Sequence, residues 1–185
     1  MTKKLRHFSS AELRREGVFA PDLSSMLIER SFGHQPEGGG DWWLFPEEAL
    51  YLVEEGYLEV ASGKSGQPLS FPDLRSHLEK LHKGCFLRYL VYRDLRRKGY
   101  LPKAGAKYGV DFRVYEPGVK PRKGAKQEGE HARFLVKVVT ENDRLTATGL
   151  VGLNRITHSV KKLLWLAVVD QDLDVTYVQM SRAQP

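Results

Sequence analysis

The stretch Gly105-Ala106-Lys107-Tyr108-Gly109-Val110-Asp111-Phe112-Arg113-Val114-Tyr115 decides how this chain is read. Its two glycines mark a turn. The alternation that follows predicts a strand with Phe112 and Val114 on one face and Asp111, Arg113 and Tyr115 on the other. A second apolar run, Phe134-Leu135-Val136-Lys137-Val138-Val139, follows His131-Ala132-Arg133 and predicts a strand over 133–139. Residues 153–162 read as a helix. Leu163 to Val169 and Val175 to Met180 read as the last two strands.

Upstream, residues 1–83 read as a small N-terminal α/β domain. Val18-Phe19 and Ser25 to Glu29 are short strand candidates, and Gly33 to Gly40, with Pro36 inside it, is a loop. Trp42 to Phe45 is a strand or a core anchor. Pro46 suits the first turn of a helix over 47–55, where Glu47 and Glu48 match the positive helix start. Gly56 ends that helix, and 57–60 reads as a strand. Ser70, with Asp73 three residues on, caps a second helix whose Leu74, Leu78 and Leu81 recur at helical spacing. Gly84 marks the domain boundary, and 84–185 forms the second domain. A helix over 85–98 carries Leu87, Val91 and Leu95 in a stripe. Its Arg93, Arg96, Arg97 and Lys98 read either as RNA-backbone contacts or as a solvated, dipole-matched helix end, the second being favoured.

Composition limits the function classes. Of 185 residues, 41% are hydrophobic and 28% charged, enough to build a core without low-complexity tracts. No apolar run approaches the ~18 residues of a membrane span, and Met1 to His7 lacks the apolar core of a signal peptide. A soluble, cytoplasmic protein is expected. Cys85 is the single cysteine, so neither an internal disulfide nor a Cys-rich zinc site is available. The net charge of +6 mildly favours a polyanionic partner.

Several segments together resemble the archaeal tRNA-intron splicing endonucleases. The likeness is strongest over 88–182. There it rests on the Gly105–Tyr115 run, on His131-Ala132-Arg133-Phe134, and on Asn154-Arg155-Ile156-Thr157-His158-Ser159-Val160-Lys161-Lys162 before Leu163-Leu164-Trp165-Leu166. A weaker likeness covers 46–60, Glu47-Glu48-Ala49-Leu50-Tyr51-Leu52 and Gly56-Tyr57-Leu58-Glu59-Val60. The resemblance implies a mixed α+β protein: a small N-terminal α/β domain, then a catalytic domain with a central mixed sheet flanked by helices. It implies cleavage of precursor tRNA at bulge–helix–bulge junctions, with no metal or cofactor, leaving 2′,3′-cyclic phosphate and 5′-hydroxyl ends.

It also implies roles for particular residues. Tyr115 is the general base, His131 the general acid and Lys162 the electrostatic stabiliser of the crowded phosphorane. A phenol is a weak base at neutral pH, so a purely positioning role for Tyr115 stays open. The family pattern selects His131 over His158, and the second member of the pair Lys161-Lys162. Arg155 and Arg182 would sandwich a bulged base. Arg155 lies seven residues before Lys162, which on a continuous helix is nearly the same face. The acidic turn Asp170, Asp172, Asp174 would dock into a neighbouring subunit of a homotetramer, or of a heterotetramer with a structural subunit.

Two rivals compete with this reading. A magnesium nuclease of the restriction type needs an acidic pair on successive strands. Asp111 could be the first member, but Leu135 stands where the second belongs. A non-catalytic RNA-binding subunit would lack part of the triad, and all three side chains are present.

Overall fold

The computed structural model describes residues 9–119, 121 and 131–183. Lys120, Arg122, Lys123, Lys126, Glu128 and Glu130, which the sequence reads as a charged connection before His131, lie outside the described residues. The chain forms two compact units, 1–89 and 90–185. Among the described residues no helix is long and apolar enough to cross a membrane.

Among the described residues, the first unit holds a four-stranded sheet and three helices. Its elements are β1 (Ser9–Arg14), β2 (Gly17–Phe19), α1 (Ser25–Glu29), β3 (Trp43–Leu44), α2 (Pro46–Glu54), β4 (Leu58–Ser62) and α3 (Phe71–Leu81). Strand order is β3-β2-β1-β4, with β4 parallel to β1 and the other pairs antiparallel. Val18, Leu44, Leu50, Leu52, Val60, Leu74 and Leu78 are buried in its core. The end of Glu48 serves two places at once. Its Oε2 accepts the Phe45 N–H at 3.3 Å and the Gly33 N–H at 3.1 Å. The first contact closes the start of α2, and the second pins the turn at Gly33. There φ is +74° and an added Cβ would lie 2.8 Å from Leu23 Cδ2, so only glycine fits. Ser70 caps α3 as its sequence predicts, accepting the Asp73 N–H at 3.3 Å.

Residues 25–29 are a correction. The expected strand is the short helix α1, whose Leu27 and Ile28 N–H groups both bond back to the Ser24 carbonyl. Three apolar residues in a segment of five, Met26-Leu27-Ile28, cannot distinguish helix from strand by periodicity. Strand β1, with the sequence Ser-Ser-Ala-Glu-Leu-Arg, was unforeseen because it is mostly polar; its two neighbours in the sheet make it a strand.

The boundary between units falls within α4 (Cys85–Arg97). The second unit then contains β5 (Leu101–Ala104), a 3₁₀ turn at Ala106–Tyr108, β6 (Phe112–Tyr115), β7 (Phe134–Thr140), α5 (Ala147–Ser159), β8 (Leu163–Val169) and β9 (Val175–Met180). The sheet order is β5-β6-β7-β8-β9. Only β7 and β8 are parallel, and α5 is the crossover that joins them. One sheet face carries a ring cluster: Phe134 stacks on Trp165 at 3.8 Å, with Tyr100 and Tyr177 edging Trp165. The Tyr177 hydroxyl donates to Asp94 of α4 at 2.8 Å, and Lys98 pairs with the same carboxylate at 2.7 Å. Arg96 bonds the Tyr92 hydroxyl at 3.0 Å. Two of the four cations at the end of α4 therefore serve local structure. β5 was unforeseen too; Pro102 sits in it because β5 is an edge strand, where a missing N–H is tolerated.

The crossover helix differs from its sequence reading at both ends. It starts at Ala147 rather than 153, because Thr146 caps it by accepting the Gly149 N–H at 3.1 Å. It stops at Ser159. The Lys162 N–H bonds the Thr157 carbonyl at 3.0 Å and the Lys161 N–H bonds the His158 carbonyl at 3.0 Å. This is a Schellman ending, with Lys161 in the left-handed position at φ +53°. Lys162 is thus outside the helix, and the idea that Arg155 shares its helical face fails.

Candidate active site

Pairing register brings three chain segments to one end of the second sheet. Val114 is level with Phe134, and Phe134 with Leu163. One step further, the Arg133 N–H bonds the Val114 carbonyl and the Leu163 N–H bonds the Arg133 carbonyl, both at 3.0 Å. Tyr115, Arg133 and Lys162 therefore form one rung across β6, β7 and β8. Adjacent strands lie about 4.8 Å apart, so the outer two backbones are about 10 Å apart, and long side chains reach inward across that gap.

They meet at residue 132. Tyr115 is 1% exposed and packs with Leu101 and Ala132, with Val119 against the same cluster. The Lys162 Nζ donates to the Ala132 carbonyl at 2.5 Å. His131, the residue before, is exposed. The Tyr115 phenol ring and the Lys162 ammonium thus reach Ala132 at the mouth of β7, and His131 is its neighbour in the chain. The left-handed Lys161 makes this possible, because it turns the chain out of α5 and directly into β8. Arg133 is tied to Glu116 at 2.6 Å, which fixes the strand just after His131.

The remaining expected residues are spread more widely. Arg155 is exposed on α5, and Arg182 is exposed beyond β9. In the acidic turn, the Asp170 Oδ1 accepts the Asp174 N–H at 2.9 Å, and Leu173 sits left-handed at φ +66°. Asp170 is therefore partly committed to shaping the turn, while Asp172 and Asp174 are exposed. Asp111 accepts the Val138 N–H at 2.8 Å and pairs with Lys137 at 3.1 Å. Its carboxylate is engaged in bracing β6 against β7.

Sequence reasoning gave no role to Arg113, although strand alternation puts it on the face of Tyr115. It also could not see the Ala132 carbonyl, since a backbone acceptor has no signature in residue identity.

Both units match known families. A family model described as tRNA intron endonuclease, catalytic C-terminal domain, matches residues 85–177. One described as tRNA-splicing endonuclease subunit sen54 N-term matches residues 7–62. The chain is 38% identical over 172 residues to a tRNA-splicing endonuclease of Thermococcus kodakarensis, covering 91% of this chain and 94% of the relative. It is 37% identical over 158 residues to that of Pyrococcus furiosus, covering 85% of each. It is 38% identical over 138 residues to that of Methanothermobacter thermautotrophicus, covering 75% of each.

Proposed function

Because this chain belongs to the tRNA intron endonuclease family, we propose that it cuts precursor tRNA at intron–exon junctions held in a bulge–helix–bulge fold. The observation that supports the reading is that Tyr115 and Lys162 both reach Ala132, the residue that follows His131 in the chain. In this mechanism the 2′-hydroxyl beside the junction attacks the adjacent phosphorus. Tyr115, reacting as the phenolate, takes its proton, the bond from phosphorus to the 5′ oxygen breaks, and His131, reacting as the imidazolium, gives that oxygen a proton. The Lys162 ammonium offsets the negative charge gathering on the phosphorane oxygens. The products are a 2′,3′-cyclic phosphate and a 5′-hydroxyl. Tyr115 is covered in the free protein, with Val119 packed against its cluster at the end of a turn closed by the Val119 N–H to Glu116 carbonyl bond, so the 2′-hydroxyl reaches the phenol once that turn moves aside.

Arg155 and Arg182 hold an unpaired base between guanidinium planes, an interaction that any base accepts. The exposed Asp172 and Asp174 dock into a neighbouring subunit, in a homotetramer or beside a structural chain.

Incubating the purified protein with a bulge–helix–bulge precursor tRNA in EDTA tests the reading. Cleavage to the two stated end groups is expected. No cleavage, alone or with a structural partner, overturns it, and so does complete dependence on a divalent cation.

A further inference from the structure

The residue pairing of β6 with β7 ends at Val114 and Phe134. One further backbone bond runs from the Arg133 N–H to the Val114 carbonyl at 3.0 Å. Past it, a side-chain link crosses the same gap: the Arg133 Nη1 donates to the Glu116 Oε1 at 2.6 Å. Glu116 directly follows Tyr115, and Arg133 comes two residues after His131. Between them stands Ala132, whose carbonyl accepts the Lys162 ammonium. The segment leading back to His131 is thus held at two successive residues, by Lys162 at 132 and by the end of β6 at 133.

The ion pair does little for the fold. Its side chains are 56% exposed at Arg133 and 43% at Glu116, and an exposed pair adds little net stability. Nor does it favour the substrate. A carboxylate one residue from Tyr115 repels the phosphate proposed to lie beside that phenol. What the pair supplies is spacing. It fixes the end of β6 against the chain entering β7, at the level of the rung that carries the site. Glu116 is also the first residue of the turn over Tyr115, so the pair holds the base of that turn while its far end moves. Spacing matters here because a misplacement of about 1 Å between reacting groups costs on the order of 100-fold in rate.

We infer that Glu116 and Arg133 are positioning residues, whose ion pair sets the separation of the segments bearing Tyr115 and His131. The assignment rests on the RNA-cleaving reading and adds to it two residues that do not touch the reacting atoms.

The test uses the full chain and a bulge–helix–bulge RNA. Single-turnover cleavage at saturating protein is set beside binding of the same RNA with a 2′-deoxy nucleotide at the cut position, and beside the melting temperature. Glu116→Gln should slow cleavage at least about tenfold, yet bind as tightly as wild type or more tightly, since it removes a negative charge. Arg133→Gln should slow cleavage as much and bind more weakly, having lost a cation. Combining Glu116→Arg with Arg133→Glu restores the pair and the net charge, and should recover most of the rate. Melting temperatures should stay within a few degrees of wild type throughout. The assignment is overturned if Glu116→Gln cuts as fast as wild type, or if the exchanged pair is no faster than the single variants. A rate that falls only in step with the melting temperature marks a purely structural pair and overturns it too. Should Arg133→Gln not fold, Glu116→Gln decides alone. If wild type cuts and Glu116→Gln matches it, only the positioning role fails. If wild type leaves the RNA uncut, the RNA-cleaving reading fails and this role with it.

Discussion

The Lys162 ammonium donates a hydrogen bond to the Ala132 carbonyl across thirty residues of sequence, one position after His131. The peptide that delivers the imidazole is thereby fixed by the same cation proposed to face the phosphate. Positioning and electrostatics are coupled at this point, since moving one displaces the other. His131 itself is exposed, so its ring can be removed with little loss of packing. His131→Ala is expected to slow cleavage at least about 100-fold, as loss of a general acid does, with RNA affinity unchanged. Single-turnover cleavage beside equilibrium binding checks this, and an unaltered rate removes His131 from its role.

A second expectation concerns assembly. Asp172 and Asp174 are exposed on the turn joining β8 to β9, whereas Asp170 braces the turn from within. Asp172→Lys with Asp174→Lys should therefore weaken association while leaving the protomer folded. Asp170→Lys should loosen the turn as well. Sedimentation of the double variant as the full wild-type assembly would count against the docking role.

Lys161 occupies a backbone conformation that costs a side-chain-bearing residue about 1–2 kcal/mol. Glycine avoids that cost but has more freedom to lose on folding. Lys161→Gly should thus stabilise the protein by about 0.5–1 kcal/mol. Cleavage should persist, because Lys162 keeps its place. Denaturant melts and rates measured together test both halves.

The Tyr177 phenol is held protonated well above the ordinary tyrosine range. Burial is the main cause, followed by its hydrogen bond to Asp94 and the charge of that carboxylate. The folded state therefore binds this proton more tightly than the unfolded chain does. Its contribution to stability is complete below the unfolded value near 10 and declines as pH rises above it. Tyr177→Phe should cost about 1.5–3 kcal/mol at neutral pH, the worth of a hydrogen bond to a charged acceptor. It should also flatten the loss of stability above pH 10. A variant that melts with the wild-type alkaline slope would show that another group is responsible.

Legibility in the sequence followed the physics of each element. α2, α3 and α4 carry their own stop and start residues, Pro46, Ser70 and Gly99, together with apolar repeats, and β8 and β9 have apolar or β-branched runs of strand length. Their bounds were readable within a residue or two. α1 and β5 were not, because five or four residues hold too little periodicity, and β1 is specified by its neighbours. The early start of α5 depends on one threonine hydroxyl, while the Gly149 and Gly152 that follow weaken its helical signal. For the site, chemistry and family likeness together pointed to the phenol, imidazole and ammonium. Neither could supply the carbonyl at 132 or the handedness of residue 161, which belong to the backbone alone.

The parallel pairing of β7 with β8 has a kinetic corollary. Partners in that ladder, such as Phe134 and Leu163, are separated by a whole helix and its two connections, and such long-range closures form slowly. Hairpin contacts between β8 and β9 can arise early. The end of the sheet where the ammonium meets the peptide after His131 waits for the crossover to wind and the last parallel strand to register. A chain interrupted before residue 163 can hold the phenol and imidazole but has no means of bringing the third group to them. Cleavage competence should therefore be among the last properties gained during refolding.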